Sequence, residues 1–110
     1  MHLETETRVT NIRNRVRFEE DRLNEARTIL ANSTDVYVNG LIRQAQAWLD
    51  DVEDMFIQTL AKDRVPPRTL AEELAIVHVI EMHLNSVATP LIKTIRELID
   101  EFGANITSVA

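Results

Sequence analysis

The stretch EMHLNSVATPLIKTI, residues 81–95, decides how many helices this chain of 110 residues forms. Thr89-Pro90 has the chemistry of a helix start, with Thr as N-cap and Pro at the first helical position. Apolar positions nevertheless continue at steps of three or four residues through Pro90, which keeps them on one helical face. The positions are Leu70, Leu74, Val77, Glu81, Leu84, Ala88, Leu91, Ile95, Leu98 and Phe102, with Glu81 the one polar member.

A loop would have no reason to preserve this register. The spacing therefore predicts a single helix over 70–102, kinked near Pro90 because the carbonyl of Ser86 loses its hydrogen-bond partner there. A four-helix bundle with a break at 86–89 is the alternative that the start signal at Thr89-Pro90 leaves open.

Two further helices are predicted upstream. The first covers 4–31, where apolar residues at steps of three and four form one stripe. Its members are Val9, Ile12, Val16, Leu23, Ala26 and Leu30, and the remaining step falls on Glu19. The turn NSTD at 32–35 follows, where Ser33 or Thr34 can cap a second helix over 35–62.

The segment DRVPPRT, residues 63–69, is the clearest break in the chain. Pro66-Pro67 cannot continue a helix. Thr69 followed by Glu72 forms a capping-box pattern, in which each side chain satisfies a free backbone N–H at a new helix start. The sequence therefore predicts an all-α fold, an up-down-up bundle of three long helices in one domain over 1–110. Phe102-Gly103 is the predicted C-terminal stop of the third helix, and 104–110 a frayed tail.

Composition excludes several classes of protein. The chain has no cysteine, which excludes disulfide scaffolds and thiolate metal sites. Its formal net charge of −6 disfavours binding to nucleic acid or to anionic membranes. The first ten residues lack an apolar leader, and no uninterrupted apolar run approaches the ~20 residues that span a bilayer. We therefore expect a cytoplasmic protein that binds neither membrane nor nucleic acid.

Four polar residues on the predicted helix stripes, or beside them, are the candidates for chemistry: Glu19, Glu81, His78 and His83. Carboxylates and imidazoles that converge inside a helical bundle can hold a metal ion. If helices 1 and 3 are parallel, we expect Glu19 and Glu81 at similar heights. The Glu-x-x-His spacing of carboxylate-bridged centres is absent, however, so the sequence predicts no metal, no cofactor and no enzyme activity. If the chain forms a dimer, Glu19 and Glu81 are expected near its seam, each with an Arg partner, because an unpaired buried charge is costly.

A basic run and an acidic run are predicted to neutralise each other. RVTNIRNRVR, residues 8–17, holds four arginines, and DDVED, residues 50–54, holds four acids. An antiparallel hairpin folded at 32–34 brings Arg13 near Glu53 and Arg15 near Asp51. Such pairs select the register of the two helices more than they stabilise it.

Apolar residues outside the stripes indicate a second buried face. On the first helix these are Phe18 and Ile29. On the third they are Ile76, Val79, Ile80 and Met82. Since helices that are apolar on several sides usually meet more neighbours, these six residues predict a homo-oligomer, most simply a two-fold dimer. The function they favour is a non-catalytic oligomerisation or protein-interaction module. The alternative is a small bundle that binds a metal or a small ligand through Glu and His residues.

Overall fold

A computed structural model describes residues 1–60 and 66–106, with side chains through residue 103. All the regular secondary structure in these residues is helical. Helix α1 covers Leu3–Ile29 and α2 covers Val36–Thr59. The third helical path consists of α3 (Leu70–His83), a π-helical turn (Leu84–Ala88) and α4 (Thr89–Ile106). The predicted all-α bundle of three long helices is confirmed.

The helix starts follow the local sequence closely. Asp35 caps α2, since its side chain accepts a hydrogen bond from the Val38 N–H at 2.9 Å. The prediction of Ser33 or Thr34 as this cap was wrong, because the Ser33 hydroxyl accepts a bond from the Asp35 N–H instead. The capping box of Thr69 and Glu72 is confirmed, with both reciprocal bonds present.

Ion pairs between the helices give their directions. Arg13 of α1 binds Glu53 of α2 at 3.0 Å, which makes these two helices an antiparallel hairpin. Arg8 near the start of α1 binds Glu81 of α3 at 3.0 Å. Glu25 near the end of α1 lies 3.3 Å from Arg96 of α4, so the third helical path runs parallel to α1. The result is an up-down-up rod with Cα extents of 58 × 19 × 17 Å.

The core lies along the inner side of all three helices. In α1 the buried residues follow the predicted stripe, and Glu19 is buried within it. In the third helical path the buried positions are Glu73, Val77, Ile80, Leu84, Ala88, Ile92, Ile95 and Ile99. This set differs from the predicted one: Ile80 takes the place given to Glu81, and Ile92 that given to Leu91.

The π-helical turn explains the difference. The Thr89 N–H donates to the Leu84 carbonyl, a bond that spans five residues instead of four. Such a turn holds one more residue than an α-turn, so a run of steps of four, from Ile80 through Leu84 to Ala88, stays on one face. The prediction assumed α-helical spacing throughout, and therefore placed both halves in the wrong register.

The turn also lies directly before Pro90, which has no N–H and whose ring crowds the carbonyl four residues earlier. Residues 86–89, where the alternative places a break, are helical. A kink of the helix axis near Pro90 stays a prediction.

The third helical path ends later than predicted. It passes through Gly103 and ends at Ile106. The predicted stop at Gly103 was wrong, because glycine weakens a helix interior by only about 1 kcal/mol and does not prevent continuation. Residues 107–110 of the predicted tail, and the end of the predicted helix 2 at 62, lie outside the described residues.

Candidate functional site

The two stripe carboxylates lie far apart along the bundle. Glu81 is level with Arg8, which it binds, whereas Glu19 lies 11 residues further along α1 than Arg8. At 1.5 Å per residue the separation along the axis is roughly 15 Å. The expectation that Glu19 and Glu81 share one height was therefore wrong, and they form no common site. Each has an Arg neighbour within its own chain, Arg8 for Glu81 and Arg22 for Glu19.

Glu19 is a buried charge with weak compensation. Only 4% of the residue is exposed, and Arg22 approaches both carboxylate oxygens at 3.4 Å from one turn away. Burial raises the pKa of Glu19 above its ordinary value, although Arg22 and Arg15 act to lower it. Since burial outweighs the arginines, this carboxylate costs the fold free energy when it is ionised.

The two histidines do not join the carboxylates. His78 lies on the exposed side of α3, and His83 is half-buried at the end of α3. The His83 Nε2 atom is buried without a hydrogen-bond partner. Within residues 1–60 and 66–106, no three His, Asp or Glu side chains come together as a metal site would require. Glu19, Glu81, His78 and His83 therefore do not form one cluster in the described part of the chain.

Glu73 is the polar residue whose role the sequence analysis missed. Its Oε1 accepts three hydrogen bonds: from the His2 N–H at 2.9 Å, from His2 Nδ1 at 2.8 Å and from the Thr5 hydroxyl at 2.8 Å. Burial acts to raise the pKa of Glu73, but the bonds from His2 and Thr5 outweigh it and lower the pKa to about 2. Glu73 therefore ties the first turn of α1 to α3, and the positive end of the α1 dipole favours its charge.

The arginine run is largely absorbed by the bundle itself. Arg13 makes two bonds to Glu53 and lies over the Phe56 ring, with its guanidinium 5.3 Å from the ring centroid. The predicted pair of Arg13 and Glu53 is confirmed. The predicted pair of Arg15 and Asp51 was wrong: both side chains are exposed and no ion pair joins them. Arg15 acts on Glu19 instead, four residues further along α1. A shallow groove of about 440 Å³ beside Arg13 and Glu53 carries both signs of charge.

Four of the six predicted interface residues are exposed. Phe18 is 61% exposed, Ile29 46%, Val79 61% and Met82 53%. The assignment of Ile80 to an interface was wrong, because it is 1% exposed and belongs to the core of its own chain. Ile76 is half-buried and packs against that core. The error at Ile80 follows from the misplaced register of α3.

An uncharged strip runs along the outer side of the third helical path. It consists of Ala71, Ala75, Val79, Met82, Ser86 and Pro90, all exposed, and we call it the neutral face. Its spacing of three and four residues makes it continuous, on the side opposite the buried positions. Glu72 borders it at one end and Lys93 at the other. A chain with 18 acidic residues thus keeps one long surface free of charge.

Length and composition alone would let one helix, Leu70–Gly103, cross a membrane. The core helix of a water-soluble bundle meets the same criterion, and one side of this helix carries the core of the fold.

Searches for similar proteins found no family model, no curated protein and no solved structure that matches this chain.

Proposed function

We propose that this chain is a non-catalytic helical oligomerisation module that self-associates through the neutral face. The observation that carries the proposal is the exposure of Val79 and Met82 on a charge-free strip of a strongly acidic chain. Burial of apolar surface stabilises an assembly by roughly 25 cal/mol per Å². An uncharged strip adds no like-charge repulsion when two copies meet there, whereas contact through the acidic surfaces of the chain would bring like charges together.

Charge also argues for a protein partner over a lipid surface. A helix that lies on an anionic membrane usually has Lys and Arg on its polar side, which the lipid headgroups attract. The neutral face holds neither Lys nor Arg, and of its two charged border residues only Lys93 is basic. The features of the face therefore fit the surface of another copy better than they fit a membrane.

The test is light scattering after size-exclusion chromatography across a dilution series. We expect a species of twice the protomer mass of 12.6 kDa. Val79→Glu should weaken association at least tenfold, because it buries a charge in the contact. The matched control is Ala47→Glu, which adds the same charge to an exposed position of α2. A monomer at tens of micromolar would overturn the proposal, as would a monomer that sediments with vesicles of neutral lipid. Equal effects of the two variants would overturn the choice of face.

A further inference from the structure

A small groove lies between α1 and α2, close to the turn that joins them. Its volume is about 290 Å³, and the described residues that line it are Arg27, Leu30, Ala31, Asn39, Ile42 and Arg43. None of these six is acidic, whereas the groove beside Arg13 contains Glu20, Asp50 and Glu53. This groove, which we call the basic groove, therefore has a positive lining in a chain whose net charge is −6.

Arg27 is held beside the basic groove by neutral partners. Its guanidinium donates to the Asn24 Oδ1 atom at 2.6 Å and to the Gln46 Oε1 atom at 2.7 Å. Gln46 in turn donates to Asp50 at 2.9 Å, so this carboxylate meets an amide instead of Arg27. A guanidinium has five N–H groups, and three of those of Arg27 are left for another acceptor or for water. The two amide bonds thus orient the guanidinium and leave its positive charge unbalanced.

Arg43 supplies a second positive charge to the basic groove, from the first turns of α2. Its side chain is exposed and folds back along α2, since its Nη2 atom lies 3.9 Å from where a Cβ on Gly40 would stand. Within residues 1–60 and 66–106, neither Arg27 nor Arg43 forms an ion pair. Other arginines of the bundle do pair with glutamates, among them Arg8, Arg13, Arg22 and Arg96. Two uncompensated guanidinium groups therefore line one concave site.

We propose that the basic groove binds the phosphate group of a small anionic ligand, and that Arg27 and Arg43 hold this group. Planar guanidinium groups donate parallel N–H bonds that match the spacing of phosphate oxygens. Leu30 and Ile42, both buried, give the groove an apolar lining against which a compact organic group can pack. The volume lies at the lower end of small-molecule sites, which favours a small phosphate monoester. No residue of the third helical path lines the groove, so this inference is independent of self-association through the neutral face.

Arg43 is the residue to change, because its exposed side chain can be replaced without disturbing the core, whereas Arg27 also bonds to Asn24 and Gln46. Arg43→Gln removes the charge and keeps a side chain of polar character. Arg43→Lys keeps the charge and loses the planar pair of donors. Arg15→Gln is the matched control, since it removes the same charge from an exposed position of α1 outside the groove.

The test is a titration of ¹⁵N-labelled protein with inorganic phosphate at constant ionic strength, followed by NMR. We expect saturable shifts of the backbone amides of Ala31, Asn39 and Arg43, with half-saturation below about 20 mM. Arg43→Gln should weaken binding at least about fivefold, because one of two charge-assisted contacts is lost. Arg43→Lys should bind between this variant and wild type. Arg15→Gln should change the affinity by less than about twofold, because salt screens an exposed charge outside the groove.

Phenyl phosphate, titrated in the same way, tests the apolar part of the groove and should bind more tightly than inorganic phosphate. Binding of inorganic phosphate alone would overturn the assignment to a phosphate monoester. Shifts that do not saturate, or that centre on amides away from the groove, would overturn the site itself. Equal weakening by Arg43→Gln and Arg15→Gln would also overturn it, because that result would report a general attraction of arginines for the anion. Circular dichroism of each variant establishes that the fold is retained.

Discussion

Glu19 and Glu73 are both buried carboxylates, yet they act on the stability of the bundle in opposite directions. Glu73 accepts three hydrogen bonds from the start of α1, and its pKa falls to about 2. Glu19 has two long contacts to a single Arg, and burial raises its pKa. Burial acts to raise the pKa of both carboxylates, and the number of hydrogen-bond donors that reach each one decides whether its pKa is raised or lowered.

We predict that Glu73→Gln lowers the free energy of unfolding at pH 7 by about 2 kcal/mol, the scale of hydrogen bonds to a charged group. Because the native pKa of about 2 lies below the ordinary value of 4.5, the stabilisation is complete above pH 4.5 and is lost as the pH falls towards 2. Urea denaturation at several pH values measures this, and wild type and variant should converge in acid.

Glu19→Gln is the matched contrast. Its raised pKa means that ionised Glu19 destabilises the native state at neutral pH, and that this cost disappears as the pH falls to the ordinary value. The variant should therefore be more stable than wild type at pH 7, with the advantage lost in acid. Equal stability of Glu73→Gln and wild type at pH 7 would show that the contacts of Glu73 with His2 and Thr5 have no net value.

At the scale of the element, the π-helical turn connects two α-helical halves whose core positions would not align in an unbroken α-helix. The turn contains one extra residue, and Pro90 follows directly after it. Pro90 cannot donate the N–H that an α-helix interior requires, so the π-turn lies where the α-helical series of hydrogen bonds is interrupted in any case. Two causes therefore favour the same geometry: the core on either side, and the proline.

We predict that removal of the exposed residue Asn85 converts the π-turn into an α-turn. In a Pro90→Ala background this deletion should change the free energy of unfolding by less than about 1 kcal/mol, since the core positions then follow regular α-helical spacing. With Pro90 present the deletion should cost about 3 kcal/mol, because the proline is forced into an α-helix interior.

Removal of Lys93 in the same background is the control for this deletion. It lies within α4, and its loss should rotate Ile95 and Ile99 away from the core at a cost of more than about 3 kcal/mol. Urea denaturation measures each variant. Equal costs for removal of Asn85 and of Lys93 would mean that the π-turn does not hold one residue more than the core spacing requires.

At the scale of the whole molecule, the distribution of charge matters more than its total. The net charge of −6 would oppose association through an average surface, and the neutral face is the exception. Apolar area on this face would supply affinity for a second copy, while the acidic surfaces around it disfavour other contacts between copies.

We predict that self-association tightens when sodium chloride rises from about 0.05 M to about 0.5 M, because salt screens the repulsion between two acidic chains. Each copy carries a formal charge of −6, while burial of the uncharged neutral face gains nothing from unscreened charge. Dissociation constants from light scattering at the two salt concentrations provide the comparison. Association that weakens with salt would show that ion pairs, and not the neutral face, hold the copies together.

The sequence by itself determined those features that depend on neighbours along the chain. Three helices, the capping box of Thr69 and Glu72, and the buried position of Glu19 all follow from local spacing, and the structure agrees. The pairing of Arg13 with Glu53 follows from the position of one turn, because an antiparallel hairpin fixes its own register. Hydrophobic periodicity is informative wherever the helical repeat is constant.

Only the tertiary structure decided which side of the third helix is buried. A π-turn changes the repeat from 3.6 residues, so counting through Pro90 placed Glu81 where Ile80 lies. Packing against α1 and α2 decides which residues are buried, since the half before the π-turn and the half after it must each turn an apolar side towards the core. The role of Glu73 was also decided by the tertiary structure, because its partners, His2 and Thr5, are 68 or more residues away and no local pattern connects them.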